Sequence, residues 1–257
     1  PSKEHKPNPI IQMGMFMDGD GIPLAFSINK GNANEQLTLK PLEEKILSDF
    51  DLSKFIVCTD AGLASVSNKN FNSKGERAYI TTQSIKKLKK HLMEWALDSK
   101  GWSFADDMEA FDITMLDEKR DWDKIFYKER WIKESGLEEK IVVTYSMKYR
   151  DYQRNIRNSQ IERAQKAIAS RSVHLKKCNP NDYKRFIEKS HYTADGEAAE
   201  RETYSINIEL ISKEAVFDGF YAVCTNLEGV ATEIIRVNRR RWEIEECFRI
   251  MKSEFRA

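Results

Sequence analysis

The sequence predicts a mixed α/β fold in which a compact first part and a C-terminal helix flank a less regular middle. Three observations carry this. Two apolar stretches are joined by Asp18-Gly19-Asp20-Gly21, a hairpin pattern. A short apolar run, Phe55-Ile56-Val57-Cys58-Thr59, ends at Asp60. A charged helical pattern closes the chain from about Ala231. The composition agrees with a folded chain. Of 257 residues 40% are apolar and 11% aromatic, and 42 basic residues face 41 acidic ones. A disordered chain would carry few aromatics and a large net charge.

Each element follows from a local pattern. Residues 10–18 read as a strand and 22–30 as its partner, with glycine supplying the positive φ of the turn. Asp18 and Asp20 read as turn residues. Asn34 is a suitable N-cap for a helix over 35–49, with Leu37, Leu42, Ile46 and Leu47 on one face. The continuous apolar run 55–59 reads as a parallel-type strand buried on both sides, and Ala61-Gly62 turns the chain after Asp60. In the middle, 85–97 is an amphipathic helix with Ile85, Leu88, Leu92 and Trp95 on one face. Short strands are expected at 113–116, 124–127 and 140–146, and a basic helix at 155–170. Residues 204–211 alternate with period two and read as a half-buried strand. Residues 219–225 form another apolar strand, followed by a helix from about 231 to the end.

Several function classes drop out. No run of 18 apolar residues exists, so no membrane span is expected. The start, Pro1-Ser2-Lys3-Glu4-His5-Lys6, is polar and unlike a signal peptide. Cys58, Cys178, Cys224 and Cys247 lack C-x-x-C spacing, which argues against zinc or a disulfide framework and fits a reducing cytoplasm. The four histidines show no ligand spacing. The chain starts at Pro and ends inside a helical pattern, so it reads as a piece of a longer protein.

Charge is unevenly distributed. Residues 98–139 hold 13 acidic against 7 basic residues, whereas 146–191 hold 12 basic against 4 acidic. Residues 236–256 hold 7 basic against 4 acidic. Basic runs of this kind suit a polyanion, although a single run is more often a solvated helix face. On the closing helix, at about 100° per residue, Arg241, Glu245 and Lys252 fall on one stripe. Val237, Ile244, Cys247, Met251 and Phe255 form the expected buried face beside it. A carboxylate between two cations suits a metal ligand flanked by phosphate-binding groups, or a plain i,i+4 ion pair. Asp60, at the C-terminal end of an apolar strand, stands where α/β sheets place ligands, or caps a turn. Asp60 with Glu245 therefore suggests a divalent-metal site whose ligands are far apart in sequence.

With these residues in place, the sequence resembles the DDE transposases of bacterial insertion sequences, in the branch marked by a Tyr-x2-Arg-x3-Glu-x6-Lys signature. Arg241, Glu245 and Lys252 have that spacing, and Arg241-Trp242-x-Ile244-Glu245 with Phe248 is similar in detail. Gly21-Ile22-Pro23-Leu24 with Gly31-Asn32, the strand ending at Asp60-Ala61-Gly62, and Asp218-Gly219-Phe220 to Thr225-Asn226 occur in the family's order. Asn238 occupies the signature's Tyr position. The resemblance implies an RNase H-like core with a large, partly β insertion before the last catalytic helix. The implied boundaries are 1–76 for the first part of the core, 77–215 for the insertion and 216–257 for the last strand and catalytic helix.

The resemblance also implies function. Asp60 and Glu245 would be catalytic and would bind Mg²⁺ (or Mn²⁺). A third carboxylate is expected upstream of Pro1, so this chain alone is expected to be inactive. Arg241, Trp242 and Lys252 would contact transposon-end double-stranded DNA, and the basic helix 155–170 would line it. A cytoplasmic, nucleoid-associated homodimer is expected when active. The alternatives are a non-catalytic DNA-binding remnant and an RNase H-fold nuclease.

Overall fold

The computed structural model describes residues 11–52, 54–105, 109–170, 173, 182–192 and 198–241. Among these the chain is a mixed α/β fold. In chain order come β1 (Ile11–Met17), β2 (Pro23–Lys30), α1 (Glu35–Asp49), β3 (Lys54–Thr59), α2 (Val66–Phe71) and β4 (Glu76–Thr82). Next are α3 (Lys90–Leu97), β5 (Phe126–Glu134), β6 (Leu137–Tyr145) and α4 (Met147–Ala169). Last are β7 (Ile187–Tyr192), β8 (Ala198–Ile206), α5 (Ile208–Ala215), β9 (Phe220–Thr225) and α6 (Ala231–Arg239). The chain divides into two compact units. One gathers residues 1–87, 127–143 and 221–257; the other holds 88–126 and 144–220.

In the first unit β1 and β2 pair antiparallel as a two-stranded sheet. Their turn is closed by Asp18, whose Oδ1 accepts the N–H groups of Asp20 (2.8 Å) and Ile22 (2.9 Å). The larger sheet has the order β3-β4-β9-β6-β5. β3 is parallel to β4, with Thr59 opposite Thr81, and β4 is antiparallel to β9. β5 turns into β6 through Ser135 and Gly136, both at positive φ (52° and 78°), as a two-residue hairpin turn requires. On this sheet Ile80, Val142 and Val223 pack against Ala231 and Ile234 of α6.

Two polar networks lie inside the first unit. Lys69 Nζ of α2 meets Glu139 Oε2 of β6 at 2.8 Å, and the Tyr79 hydroxyl of β4 donates to the same oxygen at 2.7 Å. Buried there, and facing that carboxylate, the Tyr79 phenol has its pKa pushed well above the usual range. In the second network Glu43, fully buried on α1, accepts from Asn72 Nδ2 at 2.9 and 3.0 Å. Desolvation raises the Glu43 pKa to about 7, with the Asn72 amide opposing. Asn72 Oδ1 is buried and has no hydrogen-bond partner among the described residues.

The second unit is built around α4, β7–β8 and α5. Ala164 and Ala167 of α4 pack on Phe186 and Ile187. Trp102 is fully buried, with its ring centroid 6.0 Å from that of Tyr145 and 5.8 Å from that of Phe220. Arg157 makes a buried two-pronged ion pair with Asp218, the first bond at 2.6 Å.

Several expectations change. The run 55–59 does form a strand parallel to its neighbour, but it is buried on one face only: Val57 and Thr59 are buried, and Ile56, on the other face, is 56% exposed. On α1 the buried face is Leu39, Leu42, Glu43 and Ile46, and Leu37 is exposed. Residues 113–115 form a 3-10 turn, not a strand, because Asp112 Oδ1 takes the Thr114 N–H at 2.9 Å. The strand expected over 204–211 stops at Ile206. Asn207 Oδ1 accepts from Leu210 N–H at 2.8 Å and starts α5. The helix expected over 85–97 splits into a 3-10 turn, Ile85–Lys87, and α3.

The raised Glu43 pKa fixes a pH dependence. The fold favours the protonated acid, so its stabilisation is complete below the unfolded pKa of about 4.5. It is lost as pH rises through about 7. The shift corresponds to roughly 3 kcal/mol. Glu43→Gln should flatten this slope and be the more stable protein at pH 8, because its neutral amide carries no charge to desolvate and its oxygen can still accept from Asn72 Nδ2. Urea midpoints at pH 5 and pH 8 measure this; a wild-type midpoint that does not fall with pH contradicts it.

Candidate functional site

The site is built at the C-terminal ends of the parallel pair β3 and β4. Asp60 follows β3 directly, and its side chain is exposed. Its backbone carbonyl accepts from Thr81 Oγ1 at 3.2 Å, which ties it to β4. Its Oδ1 accepts the Gly62 N–H at 2.9 Å, capping the 3-10 turn Ala61–Leu63. The capping role considered from the sequence is therefore present. Oδ2 makes no hydrogen bond among the described residues.

A second carboxylate stands close by. A Cβ on Gly62 would lie 3.0 Å from Asp60 Oδ1 and 3.4 Å from Glu35 Oε2. Glu35 and Asp60 thus flank the same glycine, and a side chain there would push against both carboxylates. Glu35 opens α1, and Gln36 beside it reaches the loop after Asp60. Gln36 Oε1 accepts the Ser65 N–H at 2.9 Å, and its Nε2 donates to the Gly62 carbonyl. Sequence reading missed Glu35, Gln36 and Asn68. Asn34-Glu35-Gln36 reads only as a cap and first turn, and nothing in its spacing says what lies opposite.

The end of α6 reaches the same strand. Asn238 accepts from Cys58 Sγ at 3.8 Å. Asn238 Nδ2 donates to the Tyr221 hydroxyl at 3.4 Å, and that hydroxyl bonds Thr82 Oγ1 at 2.6 Å. Asn238 therefore binds α6 to β3 and, through Tyr221, to the end of β4. Arg241 is near enough for its charge to act on the Cys58 thiol. Burial pushes that thiol up to about 11, and Arg241 opposes the shift. Arg240 lies 3.6 Å from Asp20 in the hairpin turn. Asp20 is thus a turn residue that also faces a cation.

One expectation about this helix is corrected. The helical spacing puts Val237 on the buried face, but it is 40% exposed. The buried stripe of α6 runs through Ala231 and Ile234 toward Asn238, and Val237 lies about 60° beyond Ile234. Trp242, Glu245 and Lys252 lie outside the described residues.

The donor chemistry at Asp60 fits a hard cation, which prefers carboxylate oxygen. Among the described residues no three His, Cys, Asp or Glu side chains gather as a metal site. Asp60 with Glu35 would supply part of a ligand set, not a whole one.

In the second unit, the basic helix expected to line DNA is longer than expected, Met147–Ala169, and its charges differ in what they do. Arg157 is buried against Asp218. Arg150 meets Glu118 (3.2 Å) and Asp151 (3.0 Å). Arg163 and Lys166 point to solvent. Arg157 is thus unsuited to DNA contact, since releasing it would leave a buried carboxylate unpaired.

No family model, curated protein or solved structure matches this chain. Among the described residues no helix is long and apolar enough to cross a membrane.

The thiols report on the site. With its pKa near 11 instead of about 9, Cys58 at pH 8 holds about a hundredfold less thiolate than an unhindered thiol. Its alkylation by iodoacetamide, followed peptide by peptide by mass spectrometry, should be slower by at least that factor. Arg241→Ala should slow it further, because a cation that favours the thiolate is removed. A faster reaction in that variant would place Arg241 away from β3.

Proposed function

We propose that this chain is part of a DDE-type transposase that cleaves and joins DNA at transposon ends. Its first unit would be an RNase H-like core. The observation that carries the reading is the meeting of two segments 180 residues apart. The strand ending in Asp60 lies against the end of α6, where Asn238 touches Cys58 and Arg241 acts on it. The Arg-Glu-Lys signature therefore starts beside the strand bearing the second carboxylate of the resemblance.

Two further features support it. Among the described strands, β3 ends its sheet and the β1–β2 hairpin forms a sheet of its own. Phe16 of β1 nevertheless lies 6.1 Å from Phe55 of β3, ring centroid to centroid. On this reading a strand bearing the third carboxylate, outside this sequence, pairs along the free edge of β3.

In the intact protein Asp60 and Glu245 would hold Mg²⁺ or Mn²⁺, and Arg241 and Lys252 would grip the phosphates beside the reacting bond. Trp242 would stack on an unpaired base. When bound, the divalent ions lower the pKa of the attacking hydroxyl and stabilise the leaving oxygen. The protein's own task is to hold the scissile phosphate between carboxylates and cations. The active form would be a nucleoid-associated homodimer. The second reading is a DNA-binding remnant without catalysis, which would bind through exposed cations such as Arg163 and Lys166.

Two measurements separate these. Binding of transposon-end DNA should weaken with salt, and Arg241→Ala or Lys252→Ala should each reduce the slope of log K against log salt by about 0.9. An unchanged slope and affinity would remove the phosphate role. In a protein with the upstream strand restored, Glu245→Gln and Asp60→Asn should keep DNA binding and abolish strand cleavage. Cleavage that survives either change would sink the transposase reading. Absence of cleavage in the restored parent protein would favour the remnant.

A further inference from the structure

The geometry points to Gln36 as the residue that positions the Asp60 carboxylate for a divalent cation. This rests on the reading of Asp60 as a cation ligand. The turn Ala61–Leu63 has no fully buried residue; only Leu63 is half-buried, so packing holds it weakly. Hydrogen bonds help to fix it, and the Gln36 side chain makes two of them, one at Gly62 and one at Ser65.

Gln36 brackets the loop. Its Nε2 donates to the carbonyl of Gly62, and its Oε1 accepts the N–H of Ser65 at 2.9 Å. Asn68 completes the bracket. It is 5% exposed, and its Nδ2 donates to the Leu63 carbonyl at 3.0 Å and to the Gln36 carbonyl at 3.1 Å. The same amide lies 3.3 Å from Gln36 Oε1.

Gly62 is therefore held from both sides. Its N–H orients Asp60 Oδ1, and its carbonyl is held by Gln36. A glycine has no side chain to restrict its rotation, so without Gln36 the peptides around it turn more freely. The Asp60 carboxylate would then lose its fixed direction. The platform behind Gln36 is rigid. α1 has 15 residues, its start is capped by Asn34, and Leu39, Leu42 and Ile46 are buried. Gln36 thus acts on the cation through the loop, as a partner that orients a ligand. Changes to such partners typically cost about 10- to 100-fold in metal affinity.

The test uses the 257-residue chain and Mn²⁺ as the probe. Paramagnetic broadening of the Ala61, Gly62 and Leu63 amide signals is followed by NMR during a Mn²⁺ titration. Melting temperature is measured in parallel. Wild type should broaden locally, and Asp60→Asn should abolish this. Gln36→Met should need about tenfold more Mn²⁺ or beyond, with little change in melting temperature.

Gln36→Glu guards against a folding defect in the Met variant. It keeps an acceptor for Ser65 and loses only the donation to Gly62. Its added charge alone should tighten cation binding. Weaker binding despite that charge supports positioning. Binding equal to or tighter than wild type in the Glu variant, with Asp60→Asn still abolishing the effect, overturns the role of Gln36 and leaves the cation reading intact. Broadening that is absent in wild type, or unchanged in Asp60→Asn, refutes the cation reading itself.

Discussion

The buried ion pair between Lys69 and Glu139 fixes the position of α2 in the first unit. It joins α2 to β6, residues 70 apart in sequence, and the Tyr79 hydroxyl of β4 adds a third element. Removing one charged partner from such a pair typically costs about 3–5 kcal/mol, because the other charge stays buried and uncompensated. The pair therefore fixes where α2 lies more than it adds net stability. The position of α2 then decides the candidate site. Asn68, next to Lys69 on α2, grips Leu63 and Gln36, and the loop between Asp60 and Ser65 takes its shape from that grip.

A hierarchy follows. The sheet sets the height of Asp60, since Thr59 faces Thr81 and the Thr81 hydroxyl reaches the Asp60 carbonyl. The buried charge pair places the helix behind the loop. Hydrogen bonds from α1 and α2 then set the direction of the carboxylate. The arriving helix, α6, is oriented by a different set of groups, Asn238, Tyr221 and Thr82. The two halves of the site are thus tuned by separate networks on one sheet.

The parts of this arrangement that were legible in the sequence are those with local causes. The hairpin carries its own turn residues, α1 its own cap, and β3 and β9 their own apolar runs. β4, Glu76-Arg77-Ala78-Tyr79-Ile80-Thr81-Thr82, was not legible. Its buried Thr81 and Tyr79 are satisfied by Thr59 and Glu139, partners that no local pattern announces. The strand expected at 204–211 failed for a nearby reason. Asn207 offers its side chain to a helix start, and that local bond outweighs two-residue alternation. At the site, Asp60 and Arg241 could be singled out because strand ends and charge spacing are visible in one dimension. Glu35, Gln36 and Asn68 could not, because their relevance arises only when α1 and α2 close over the loop.

The buried charges also narrow what the basic segments can do. Charge counting treats every Arg and Lys alike, but burial and pairing do not. Arg157 is neutralised inside its unit by Asp218, and Lys69 by Glu139. Lys140 is 5% exposed and donates to the Gly229 carbonyl at 2.9 Å, just before α6. These cations hold elements in place and are withdrawn from any polyanion. Part of the positive balance in 146–191 is therefore internal, and its outward field is weaker than the count implies. Arg163, Lys166 and Arg239, exposed on helices, are among the cations left to face a partner. The attraction that the protein could exert on a polyanion comes from exposed cations such as these, together with Arg241 beside β3, and not from the composition of the run.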